Sequence, residues 1–137
     1  MNNNDHGPLQ PSPNAIVYKD ELCDFWLDDE GILCSVAKNV PRTIDLQKAS
    51  FALIRKIIGN EKVCCLSDLN NIGSQDQQCR KHVNREIPNY FKALAISVNT
   101  SLGMLVANTF LTFSTKTIPI KIFDNHIDAR DWLRTQI

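Results

Sequence analysis

Asp68 is the residue whose type and position best suit chemistry. It follows the short apolar run Val63–Leu66 and opens a polar loop. An acid just beyond the carboxyl end of a central strand sits where α/β proteins place ligands, as a metal or phosphate-handling group. The same carboxylate can cap its own loop through an Asx-turn. That structural reading is preferred, because no second acid occurs before Asp76 and no lysine stands at a diagnostic spacing. Ser74 opens the next helical stretch and reads first as an N-cap. Its second reading is a phosphorylation site, since the helix dipole favours a phosphate there. With Asn70, Asn71 and Gln77, these residues make the candidate binding loop.

Other chemistries find less support. The three histidines are His6 in the leading stretch, His82 on a polar helix and His126 in the first turn of the last helix. None follows a strand with a Ser or Cys elbow and no GxSxG occurs, so no nucleophile–base pair is indicated and each reads as a solvated surface residue. The five cysteines (Cys23, Cys34, Cys64, Cys65, Cys79) form no CxxC and have no histidine partner at ligand spacing. Cys64 and Cys65 are adjacent on a strand and point to opposite faces, so they cannot share a metal without distortion. With five glycines and neither a GxGxxG nor a Walker loop, no phosphate cradle is formed. No catalytic residue, metal or cofactor is expected.

A chain of 137 residues has room for one domain and a real core. Lys+Arg and Asp+Glu are equal at 15, which argues against a general nucleic-acid binder. The charge is uneven: Asp20 to Glu30 holds six acids and no base, whereas Lys38 to Lys62 is mainly basic. Two solvated faces are the preferred reading over a charge-steered docking surface. There is no leader-like apolar segment and no run long enough to span a membrane, so a cytoplasmic protein with reduced thiols is expected.

The elements that would position the loop follow from periodicity. Residues 1–14 read as a flexible tail and residues 15–137 as a single domain, with Ala15–Tyr18 an extended lead-in or a short edge strand. Leu22–Leu27 and Ile32–Ala37 flank an acidic turn ending in Gly31, which predicts a hairpin. Asp45 is expected to cap a helix over Leu46–Ile58, with Ile44 stapling on Ala49. Its core face would be Leu46, Ala49, Leu53, Ile54, Ile57 and Ile58. After the strand Val63–Leu66, a helix from Ser74 is expected to end by Pro88. Leu94–Val98 is a buried strand. The helix Ser101–Phe113 would turn Leu102, Leu105, Val106, Phe110 and Phe113 inward. Its second apolar face, Met104, Ala107 and Leu111, is a candidate homodimer interface. Ile118–Phe123 is a strand near an edge, and a last helix starts at Asp124 or Asn125, with Ala129, Trp132 and Leu133 inward. The order β-β-α-β-α-β-α-β-α predicts a mixed, mostly parallel α/β sheet with helices packed on it.

Over about Leu22 to Leu133 the chain resembles the STAS domain, the SpoIIAA-like fold of anti-sigma factor antagonists. It most resembles small stand-alone bacterial relatives of uncharacterised function. The resemblance rests on Trp26-Leu27 with Asp29-Glu30-Gly31-Ile32-Leu33, the Asp68 loop, the SLGMLVANTFL helix and the ending from Pro119-Ile120-Lys121-Ile122-Phe123 to Ala129-Arg130-Asp131-Trp132-Leu133. In the antagonists an Asp-Leu strand end leads to an apolar anchor and then Asp-Ser-Ser-Gly, whose first serine is phosphorylated. Asp68-Leu69 and Ile72 match the strand end and anchor, and Asp76 the motif's Asp. Gln77 then stands in place of the phosphoserine and Gln78 in place of the second serine. The resemblance implies a non-catalytic regulatory module that docks an unknown protein partner, without a working phosphoserine switch. The alternative is a domain that binds an apolar small molecule or lipid.

Overall fold

The computed structural model describes residues 8–112 and 117–137. Phe113 and the first half of the expected tail lie outside these. Ten elements follow in order: β1 (Tyr18–Lys19), β2 (Cys23–Leu27), β3 (Leu33–Ala37), α1 (Ile44–Ile58), β4 (Val63–Asp68), α2 (Gln77–Tyr90), β5 (Phe91–Ser97), α3 (Ser101–Thr112), β6 (Ile120–Phe123) and α4 (His126–Arg134). The strands lie in one sheet in sequence order, β1 to β6. The first three pair antiparallel and the rest parallel. The fold is thus the expected mixed, mostly parallel α/β architecture.

Right-handed crossovers that always advance the same way leave their helices on one face of a sheet. Accordingly Phe51 and Ile54 of α1, Ile87 of α2 and Ala107 and Phe110 of α3 share one core with Leu33, Cys65, Leu94 and Ile96. The opposite face carries Trp26, Cys34, Cys64, Leu66, Ala93 and Ala95 beneath Ala129 and Leu133 of α4. Strand alternation sends Cys64 and Cys65 to opposite cores, as their adjacency requires. Leu9, inside the stretch read as tail, is buried in the second core, so ordered chain begins ahead of residue 15.

The β2–β3 turn is made by Asp28, whose Oδ1 accepts from the amides of Glu30 and Ile32 at 2.9 Å each. Gly31 has φ +78°, a conformation side chains disfavour. Arg130 of α4 pairs with Asp28, and Arg134 grips Glu30 with Nε and Nη2 at 2.9 and 2.7 Å. The Arg134 bonds hold the Glu30 carboxyl below its ordinary range. Asp20 accepts from the amides of Leu22 and Cys23 and from the Ser50 hydroxyl, and Asp24 faces Lys38 at 3.2 Å. Most of the acidic run is therefore answered within the fold.

Several expectations at helix ends and faces are corrected. Thr43, not Asp45, caps α1, its hydroxyl accepting from Leu46 N–H at 3.2 Å, and Gly59 ends the helix at φ +69°. Ala49 is exposed, so Ile44 has no staple there, while Phe51, in helical step with Ile54 and Ile58, is a core residue missing from the expected face. Asp76, not Ser74, caps α2, accepting from Cys79 N–H at 2.7 Å. Pro88 lies inside α2. It falls in the final turn, where the missing N–H removes one bond and the ring leaves the body of the helix intact. His82 is buried rather than solvated, its ring edge-on to Phe51 with centroids 5.8 Å apart.

The inward face of α3 is as expected at Val106 and Phe110, but it is corrected at Leu102 and Leu105 and at the candidate dimer face. Ala107 is fully buried, Met104 and Leu111 pack on the core, and Leu102 and Leu105 are 64% and 62% exposed. The cause is Gly103: a Cβ there would collide with the Val98 side chain and the Leu69 carbonyl, so only a bare backbone fits that closely. The small residues Gly103 and Ala107, four apart, set which side of α3 meets the sheet.

Candidate functional site

The carboxyl ends of β3 and β4 lead into two loops that lie against each other. Arg42 N–H donates to the Ser74 carbonyl at 2.8 Å, and Arg42 and Gln75 form a parallel bridge. At Gly73 a Cβ would overlap the Val40 carbonyl, so glycine lets the loops touch. A second contact runs to the start of α3: Asn99 N–H donates to Asn70 Oδ1 at 2.7 Å, and the Thr100 hydroxyl to the Asn70 carbonyl at 3.1 Å.

The expected binding loop therefore does not converge on one point. Asp68 is buried and accepts from the Asn70 amide at 2.9 Å, the Asx-turn preferred on sequence grounds. Alternation along β4 places it with Cys64 and Leu66, on the α4 side of the sheet. Asn70 is engaged with Asn99 and Thr100. Asn71, Ser74 and Gln77 are exposed, and Gln77 is the first residue of α2.

The space that could hold a ligand lies on the opposite face, between the sheet and α1, α2 and α3. It is a cavity of about 110 Å³. The sheet lines it with the short side chains of Ser35, Ala37, Cys65 and Ser67 together with the larger Phe25, Phe91, Leu94 and Ile96. Its roof is Phe51 and Ile54 from α1, Val83 and Ile87 from α2, and Val106 and Phe110 from α3. The short residues of the sheet beneath large roof residues leave a gap that a close-packed interior would fill. Ser35 and Ser67 are register partners on β3 and β4, and their hydroxyls meet at 2.5 Å. Arg42, Gln47 and Gln75 add polar groups. An apolar cavity with a few placed polar groups is the usual form of a small-molecule site.

Sequence reasoning missed this cavity. Ser35, Arg42, Gln47, Ser67 and Gln75 are spread over five segments that only the tertiary fold brings together. The one legible signal is a hydroxyl within ILCSVA and another directly after the apolar run VCCL.

The thiols here are poor nucleophiles. Burial pushes the Cys65 thiol far up, and raises those of Cys23 and Cys79. On the other face burial pushes Cys34 up to about 11. Among the described residues no group of three or more His, Cys, Asp or Glu could hold a metal, and no helix is long and apolar enough to cross a membrane.

A family model described as "Domain of unknown function (DUF7793)" matches residues 25–137. No curated protein matches the chain. Among solved structures, the chain is similar to an uncharacterised protein of the DUF3478 family from Shewanella loihica PV-4, described as having a SpoIIAA-like fold. The TM-score is 0.56 at 17% identity, over 87% of this chain and 91% of the other. That likeness agrees with the fold expected from the sequence.

Proposed function

The chain belongs to the DUF7793 family, and on that footing we propose that it is a non-catalytic regulatory module that takes a small, largely apolar ligand between its sheet and helices α1 to α3. The cavity is the observation that carries this reading. Its depth in the core couples occupancy to the packing of three helices, so a ligand that fills it changes the rigidity of the surface those helices present. Support for a non-catalytic role comes from Asp68, which bonds its own loop amide. Gln77 opens α2 at the position where the resembled antagonists carry their phosphorylated serine, and glutamine has no hydroxyl to modify. This favours control by ligand over control by phosphorylation. Five free buried thiols favour a reducing compartment such as the cytoplasm.

Cys65→Leu tests the reading by adding carbon to the cavity floor. It is expected to raise stability by about 1 kcal/mol, as cavity filling commonly does. It should also abolish the thermal shift expected of the wild type with small apolar compounds such as 1-butanol and 1-hexanol. An unchanged shift in a folded Cys65→Leu protein, or none in the wild type, would count against a ligand in this space.

A second reading, docking of a protein partner, is favoured by the exposed Leu102 and Leu105 at the start of α3, beside the Asn70 contact. Its simplest form is a homodimer. Sedimentation velocity at tens of micromolar is expected to show a dimer for the wild type and a monomer for Leu102→Asp with Leu105→Asp. These exposed changes should alter stability by no more than about 0.5 kcal/mol each. A monomeric wild type rules the homodimer out.

A further inference from the structure

We propose that Arg42 makes the cavity selective for small amphipathic carboxylates, with the acid head on the guanidinium and the apolar part between sheet and helices. The inference rests on the ligand-binding reading above and adds the ligand's charge to it. Arg42 lines the cavity and is only 5% exposed. Its backbone is fixed by the bond to Ser74 and the bridge to Gln75. Its side chain is only partly answered. Nη2 donates to the Leu22 carbonyl at 2.8 Å and towards the Cys23 thiol at 3.7 Å. Nε is buried and meets no acceptor among the described residues.

No ion pair to Arg42 occurs among the described residues either. Asp20 is occupied by two amides and the Ser50 hydroxyl, and Asp24 by Lys38. A guanidinium stays charged at any pH the fold survives. A buried charge without a partner is strongly unfavourable, and that penalty is relieved when an anion arrives. A carboxylate suits the site because its two oxygens accept guanidinium N–H groups side by side, in one plane. Size narrows the class further. A dry cavity of about 150 Å³ takes benzene, so the roughly 110 Å³ here favours a short chain over a ring and is too small for a long acyl chain.

The test compares acids with their neutral counterparts on the full chain at neutral pH, by NMR titration of backbone amides. Butanoate is set against 1-butanol, and hexanoate against 1-hexanol. Each acid is expected to bind at least tenfold more tightly than its alcohol, with shifts at Arg42, Gln75 and the cavity lining. Arg42→Met should lose that preference and still bind the alcohols. If that variant does not fold, Arg42→Gln takes its place, and the wild-type acid-to-alcohol ratio is decisive by itself. Equal affinities in the wild type overturn the carboxylate assignment while leaving the ligand-binding reading intact. No binding of either class overturns both.

Discussion

Leu66→Ala is expected to destabilise the protein by about 3 to 4 kcal/mol, within the range for a fully buried leucine whose site cannot collapse. Leu66 has no exposed surface and lies in β4, between Cys34 of β3 and Ala95 of β5 in register. Its register partners, Cys34 and Ala95, are short, and the larger members of that core, Trp26, Ile32 and Leu133, are themselves fully packed, so filling the space would require them to move. Domains of this size have about 5–15 kcal/mol in total, so the change removes a large share. Urea unfolding should show a lower midpoint with the slope unchanged. A loss under about 1 kcal/mol would mean that α4 settles onto the sheet to close the gap.

Asp28→Ala is expected to cost about 3 kcal/mol, because one carboxylate serves two ends of the fold. Oδ1 holds the turn through the amides of Glu30 and Ile32, and Oδ2 meets Arg130, with both side chains largely shielded. Alanine leaves two turn amides without their acceptor and a half-buried guanidinium without its counter-charge. Asp28→Asn keeps an acceptor for the turn and should lose about half as much. The Arg130 share is measured by a double-mutant cycle with Arg130→Ala, expected to show a coupling of about 1 to 2 kcal/mol. A cycle that closes to zero would show that Asp28 acts on the turn alone.

What was legible in the sequence was mostly local. The hairpin, α1, the apolar runs at β4 and β5 and the edge position of β6 follow from period, turn chemistry and Pro119. The element order supplied the mixed, mostly parallel sheet, and the resemblance supplied the SpoIIAA-like likeness, which the solved neighbour supports. The errors arose where distant chain decides. Phe51 is an exception: it stands three residues before Ile54 and seven before Ile58, so helical spacing already put it on the inward side, where it stacks on Tyr90 with centroids 4.9 Å apart. His82 looked solvated because its helix is polar, yet Phe51 covers it. The two faces of α3 are similarly apolar, so hydrophobicity had no vote, and the close approach at Gly103 decided the matter. The Asx-turn at Asp68 was readable because it spans two residues. The cavity was not, since its wall is a property of packing and not of any one segment.

The placement of α4 bears on how the chain reaches its native state. Every strand pairs with its neighbour in sequence, so the sheet and the helices on its first face can assemble progressively. The second face waits for the last of the described elements. Until residues 126–134 dock, Trp26, Ile32 and Leu66 form an open apolar surface, and the charged hairpin lacks its two arginines. Contacts between Asp28 and Arg130 close a span of 102 residues, the kind of non-local step that slows folding. During synthesis that face stays uncovered until residues 126–134 emerge behind β6, and exposed apolar surface of this kind is what chaperones bind.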